Sequence, residues 1–369
     1  MLLLHGIFPP ITTPFYSDGR VYLKKLEHNV ERYSKTPISG IVVLGSTGEA
    51  IMLSDQERKE VLKTAGESCA AHKVLIAGTG AESALETSRL TEYAAELGYD
   101  AALVRTPFFY KPQLKPANIL AFYRTVADHS PIPVLIYSVP VFTGYDMPPE
   151  LVIELANHPN IIGIKESGGD AVKIRKMVEG TRGIQRSATV TTVFAAVTPR
   201  MMKAAQSEAF SESRELVSIG ALSEKPSSDH VGMGVHARPE ERSSSNHSSS
   251  LKTRQKEVGF QVLAGTAQRL LPALEAGAVG GVLAFATPAP TACYEIFTAW
   301  KEDDAKLAGE KQERVRASAI RVASELGIPG LKHALDLNGY YGGPPRLPFL
   351  PLTADLKTEV EKLMSDIRN

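Results

Sequence analysis

The sequence has 369 residues, 43% of them hydrophobic and 22% charged, which excludes a largely disordered chain. Lys and Arg number 41 and Asp and Glu also 41; with no cationic excess to neutralise phosphates, no nucleic-acid partner is expected. Two cysteines, Cys69 and Cys293, make no disulfide framework and point to a reducing compartment.

At about 100–200 residues per domain, one large domain or two medium ones would fit. The start, Met1–Phe8, has no basic residue ahead of its apolar patch and resembles neither a signal nor a transit peptide. A cytosolic location is expected, or a mitochondrial one if the N-terminus is truncated. The longest uncharged run, Ala276–Ala292, is broken by glycines and prolines and is no membrane span.

In chain order, short apolar runs take turns with helix-period segments. The predicted strands are Ile7–Thr13, Gly40–Gly45, Val74–Gly78, Ala101–Thr106, Pro133–Val139, Ile161–Lys165, Phe260–Ala264 and Gly281–Phe285. They are apolar throughout rather than alternating, as strands covered on both faces are. Helical patterns between them include Asp55–Ser68, Glu82–Leu97 and Pro116–His129, and Ser54 with Glu57 forms a capping box. Eight such units predict a (β/α)8 TIM barrel. The alternative, an open doubly wound sheet, is marked by a G-x-G-x-x-G turn after its first strand; Thr13-Pro14-Phe15 stands there instead.

Residues 184–258 break the rhythm. Serine clusters at 243–245 and 248–250 and polar stretches read as a disordered, low-complexity insertion. Its first part, Ala188–Ala205, is compatible with a helix but weakly capped. Its histidines, His230, His236 and His247, match no metal-ligand spacing. The expected organisation is therefore a barrel over 1–290, interrupted by 184–258, and a helical C-terminal extension over 291–369 with helices near Thr291–Trp300, Asp304–Leu326 and Asp355–Ile367.

Barrel chemistry sits at the C-terminal ends of the strands, and three ends here have reactive groups. Lys165 ends the sixth strand after four uncharged residues. Inside a barrel an ammonium group loses hydration, which favours the neutral amine that attacks ketones. The alternative is an exposed rim lysine paired with Glu166. Tyr137 lies one strand earlier, where a phenol can move protons or simply fill the core. Gly45-Ser46-Thr47-Gly48-Glu49 ends the second strand, with hydroxyls and backbone N–H groups suited to a carboxylate; a plain strand–helix turn is the alternative.

Together with Gly163-Ile-Lys165-Glu-Ser167, Tyr137-Ser-Val-Pro140 and Gly281-Val-Leu-Ala284, these motifs resemble the dihydrodipicolinate synthase/N-acetylneuraminate lyase family of class I pyruvate-dependent aldolases. The resemblance covers nearly everything except the insertion, which opens and closes within family-like sequence as a retained intron would. It implies a Schiff base at Lys165, a proton-shuttling Tyr137, Ser46 and Thr47 on the pyruvyl carboxylate, Leu283 lining the pyruvate pocket and Ser167 touching the distal part of the substrate. It also implies a homotetramer, a small 2-oxo acid substrate, and no cofactor or metal, because the protonated Schiff base is itself the electron sink.

Segments such as His158-Pro-Asn-Ile-Ile-Gly-Ile-Lys165, Gly327-Ile-Pro-Gly-Leu-Lys332 and Gly339-Tyr-Tyr-Gly-Gly-Pro344 are most similar to the 4-hydroxy-2-oxoglutarate aldolases of that family. The expected reaction is cleavage of 4-hydroxy-2-oxoglutarate to pyruvate and glyoxylate. The alternatives are a 2-keto-3-deoxy sugar-acid aldolase, a dihydrodipicolinate synthase-like enzyme, and a catalytically dead member. Two departures stand out. The family's relay tyrosine, in a Thr-Pro-x-Tyr turn, is replaced by Phe109, with Tyr110 one place later as the candidate substitute. Synthases of the family have an arginine where this chain has Phe142.

Overall fold

The computed structural model describes residues 1–205 and 251–367. Its central feature is an eight-stranded parallel sheet closed on itself. The strands are β1 (Gly6–Phe8), β2 (Gly40–Val43), β3 (Val74–Gly78), β4 (Ala101–Arg105), β5 (Val134–Ser138), β6 (Ile161–Glu166), β9 (Gln261–Ala264) and β10 (Gly280–Val282). Their order is β1-β10-β9-β6-β5-β4-β3-β2. A parallel bridge from Pro10 to Val42, just past β1, closes the ring. This is the (β/α)8 barrel with C-terminal helices that the strand count predicts.

Alternation along each strand divides the core in two. Val42, Ile76, Leu103, Leu135, Leu263 and Val282 fill the barrel interior. Their neighbours Ile41, Val43, Leu75, Val104, Ile136 and Val262 pack outward beneath the helices. Continuous apolar strands follow directly, because neither face meets water.

The outer helices are α1 (Leu23–Ser34), α2 (Asp55–Ser68), α3 (Ala84–Glu96), α4 (Pro116–His129), α6 (Pro149–Ala156), α7 (Ala171–Gly180), α9 (Leu270–Glu275) and α10 (Pro290–Lys301), with a short α5 (Pro140–Thr143) after β5. The Ser54–Glu57 capping box is formed at the start of α2. Helix α10 packs against β1, so the last helix of the ring begins where the extension was drawn. Beyond it lie α11 (Ala305–Ser318), a π-helical segment (Ala319–Glu325), α12 (Gly327–Leu337) and α13 (Ala354–Leu363).

The ends of the expected insertion are ordered. An antiparallel pair, β7 (Arg186–Thr191) and β8 (Thr253–Val258), joins them, with helical residues 199–205, α8, coming after β7. Residues 188–191, compatible with a helix in the sequence, are therefore strand. Ala188, Val190 and Val258 bury one face against Leu3, and this tertiary contact overrides the local pattern. The Arg186 guanidinium donates to the carbonyls of Ala156, His158 and Ile161, while Arg200 binds the carbonyl of Cys69 and the Asp100 carboxylate. The hairpin and α8 thus sit at the N-terminal ends of the strands. His230, His236 and His247 lie outside the described residues.

Candidate active site

A cavity of about 1730 Å³ opens at the C-terminal ends of the strands. Lys165 reaches it from β6 and is 5% exposed. In the β5–β6 register Lys165 pairs with Tyr137, and its Nζ lies 4.0 Å from the centre of the tyrosine ring. The Tyr137 hydroxyl is 3.3 Å from Ser46 Oγ. Lysine, phenol and serine from three strand ends thus converge, with buried Thr47 beside Ser46.

Lys165 is not a rim lysine paired with Glu166. Glu166 is fully buried and its Oε2 lies 3.1 Å from Lys173 Nζ on α7. Its Oε1 accepts the N–H of Gly168 at 2.6 Å. Successive strand residues face opposite sides of the sheet, so the lysine enters the cavity while the glutamate braces the turn behind it. That turn presents Ser167, whose buried Oγ has no partner among the described residues. Gly265 makes the approach possible, since a Cβ there would fall 2.2 Å from Ser167 Oγ.

The Ser46–Gly48 turn is a single 3-10 turn flanked by two non-glycine residues in left-handed backbone, Leu44 at φ 59° and Glu49 at φ 54°. Such conformations persist only where surrounding contacts hold them, and they concentrate at functional sites.

Two expected residues do not join this cluster. Leu283 is fully buried in the packing between strands and helices and does not line the cavity, whereas Ala284 and Phe285 do. The cause is alternation: Val282 takes the barrel interior and Leu283 turns outward. Tyr110 is 66% exposed and packs edge-on against exposed Phe109 at 5.0 Å. Phe142, on α5, is exposed at the cavity mouth.

Sequence reasoning missed Arg105 and Glu82. Arg105 ends β4 in register with Tyr137, lines the cavity and pairs with Glu82 at 2.8 Å. Glu82 accepts the N–H groups of Phe108 and Phe109, each at 3.0 Å. Burial pushes its carboxyl up, but those N–H groups and the guanidinium outweigh burial and hold it below the ordinary value. The available signal was a charge at the end of an apolar strand.

Among the described residues no cluster of three His, Cys, Asp or Glu could hold a metal ion, and no helix is long and apolar enough to cross a membrane.

A closed eight-stranded barrel with a buried lysine at the end of β6 defines the class: a barrel enzyme of the class I, Schiff-base-forming aldolase and lyase type. The chain belongs to the dihydrodipicolinate synthetase family, whose model matches residues 3–213 and 242–367. It is 28% identical to the 4-hydroxy-tetrahydrodipicolinate synthase of Methanothrix thermoacetophila, over 99% of this chain and all of that one. It is 40% identical to the enzyme of the same name from Methanoculleus marisnigri, over 49% of this chain and 62% of that one. The fold is like that of the chloride-inhibited dihydrodipicolinate synthase from Acinetobacter baumannii complexed with pyruvate, with TM-score 0.74 at 24% identity over 99% of both chains. These relatives bear the synthase name, not that of the 4-hydroxy-2-oxoglutarate aldolase subgroup to which the motifs pointed.

Proposed function

We propose that this enzyme makes or breaks a carbon–carbon bond beside a pyruvyl Schiff base on Lys165. The supporting observation is the placement of Lys165 Nζ in the cavity, 4.0 Å from the ring of Tyr137. The neutral amine adds to the C2 carbonyl of a 2-oxo acid, and loss of water leaves an iminium ion. In cleavage, a base takes the C4 hydroxyl proton, the C3–C4 electrons flow into the iminium, and an aldehyde departs. The enamine is then protonated at C3, and hydrolysis releases pyruvate and restores the amine. Condensation is the reverse, with the enamine attacking an aldehyde. Tyr137 holds and returns the proton at each stage. Ser46, Thr47 and the N–H groups of their turn receive the substrate carboxylate, and Ser167 Oγ faces the distal end. In this reading Leu283 supports the pocket wall from behind rather than touching pyruvate.

For the second substrate, the relatives' name favours condensation with aspartate 4-semialdehyde, the amino aldehyde that such a product requires beside pyruvate. Cleavage of 4-hydroxy-2-oxoglutarate is the second reading, favoured by Phe142: an exposed ring, not an arginine, faces the mouth. Tyr110 enters as a residue acting in a neighbouring copy of a homotetramer, which its exposure permits. Light scattering of the purified chain tests that assembly.

The test of mechanism is borohydride reduction with pyruvate, followed by peptide mass analysis. A reduced pyruvyl adduct on Lys165 supports the proposal. A folded sample that gives none returns the chain to the catalytically dead alternative. Rates with aspartate 4-semialdehyde, 4-hydroxy-2-oxoglutarate and a 2-keto-3-deoxy sugar acid then rank the substrates.

A further inference from the structure

The C-terminal extension reaches the carboxylate-binding turn through one buried ion pair. Lys332, on α12, is 1% exposed and Glu49 0% by side chain, with Nζ and Oε1 2.6 Å apart. The same ammonium donates to the carbonyls of Thr13 and Pro344, each at 2.9 Å. The Phe15 ring lies 4.4 Å from it. Glu49 Oε2 accepts the backbone N–H of Arg346 at 2.9 Å. Thr13 Oγ1 in turn donates to the Gly48 carbonyl at 2.6 Å. At the end of the Ser46–Gly48 turn, Gly48 is therefore tied to Lys332 through Thr13, and Glu49 is tied to it directly.

We infer that Lys332 is a positioning residue for substrate binding: acting through Glu49, it fixes the turn that presents Ser46 and Thr47 to the substrate carboxylate. Glu49 occupies left-handed backbone at φ 54°, a conformation an ordinary side chain leaves unless its surroundings hold it. The restraint is the carboxylate, gripped by the Lys332 ammonium and the Arg346 N–H. Without it the end of the turn relaxes, and Ser46 moves relative to the Tyr137 hydroxyl. Lys332 touches neither substrate nor Lys165; its effect falls on the site that binds the carboxylate, not on the amine that reacts.

The inference rests on the pyruvate reading, and the experiment separates the two. Either partner removed alone leaves a buried charge uncompensated, which threatens folding. The informative variant is therefore Glu49→Gln with Lys332→Met, which removes both charges. Its thermal midpoint is expected to exceed that of Lys332→Met alone. Half-saturation by pyruvate in borohydride trapping is expected to rise about tenfold, with kcat at saturation within about threefold of the parent. Amide exchange at residues 45–49 is expected to quicken, while that at 161–166 stays unchanged. A folded double variant with parental half-saturation and parental exchange overturns the inference. If the double variant does not fold, Glu49→Asp, which keeps both buried charges but draws the carboxylate back from Lys332 Nζ, is the test, and parental half-saturation and exchange there overturn it equally. If the parent enzyme itself forms no adduct, the pyruvate reading falls; exchange at 45–49 then still decides whether Lys332 holds the turn.

Discussion

Tyr137 and Lys165 are register partners on neighbouring strands, and the lysine nitrogen lies 4.0 Å from the tyrosine ring centre. Both side chains rise from hydrogen-bonded strands rather than from loops, so their separation is set by the barrel itself. Lys165→Ala is expected to abolish both the trapped adduct and turnover. Tyr137→Phe keeps the ring but removes the proton carrier: the adduct should still form, while kcat falls by about 10²- to 10⁴-fold. Trapping and steady-state rates on the same preparations check both.

A second expectation concerns the opposite end of the barrel. The Asp100 carboxylate is fully buried. Its Oδ2 accepts the Leu75 N–H at 2.8 Å and the Arg200 guanidinium at 3.1 Å. Burial raises its pKa above the ordinary 3.8, against the lowering effect of Arg200. Arg200→Met strands that charge and should cost about 3–5 kcal/mol at neutral pH. The folded chain holds the Asp100 proton more tightly than the unfolded one, so this group's contribution to stability declines as pH rises from 3.8 through the folded value. Without Arg200 the folded value climbs further, so the variant should recover stability relative to the parent on acidification. Urea unfolding at neutral and weakly acid pH checks this.

A third prediction has the reverse sign. The Arg346 guanidinium binds Glu57 Oε1 at 2.6 Å and Oε2 at 2.9 Å. These hydrogen bonds hold Glu57 at about 2, against an ordinary 4.5. The stabilisation is complete above 4.5 and disappears as pH falls towards 2. Because both groups are partly solvated, Arg346→Met should cost about 1–2 kcal/mol at neutral pH. Its acid-unfolding curve should approach the parent's at low pH.

His5 supplies a further acid-sensitive group. Burial, then Lys256 and Lys301, lowers it from 6.5 to about 4. The neutral ring is tolerated in the fold and the charged ring resisted. Its contribution is therefore intact above 6.5 and lost as pH falls to about 4. His5→Gln should remove on the order of 1–2 kcal/mol of stability loss across that interval, read as a shallower fall in thermal midpoint on acidification.

The barrel was legible because its strands are buried on both faces and its helices have local start signals, as at Ser54 and Glu57. Lys165, Tyr137 and Ser46 were legible because all three stand at strand ends. The hairpin was not: Arg186 pairs with Val258 and Thr191 with Thr253, partners too distant in sequence for any local pattern to join. Helix α12 was hidden by Gly327, Pro329 and Gly330, residues that read as a turn until packing decides otherwise. The partner of Glu166 was hidden for a related reason. The adjacent lysine looks closest in sequence, but the strand sends the two side chains apart and the answer comes from Lys173 on α7.

The β7–β8 ladder also has a practical consequence. Because Thr191 and Thr253 are cross-strand neighbours, the polypeptide leaves the barrel and re-enters it at one spot, on the pole remote from Lys165. That makes the intervening stretch a splice point for protein engineering. A fluorescent reporter or affinity tag placed between β7 and β8 would be tethered at the N-terminal ends of the strands, away from the mouth of the cavity.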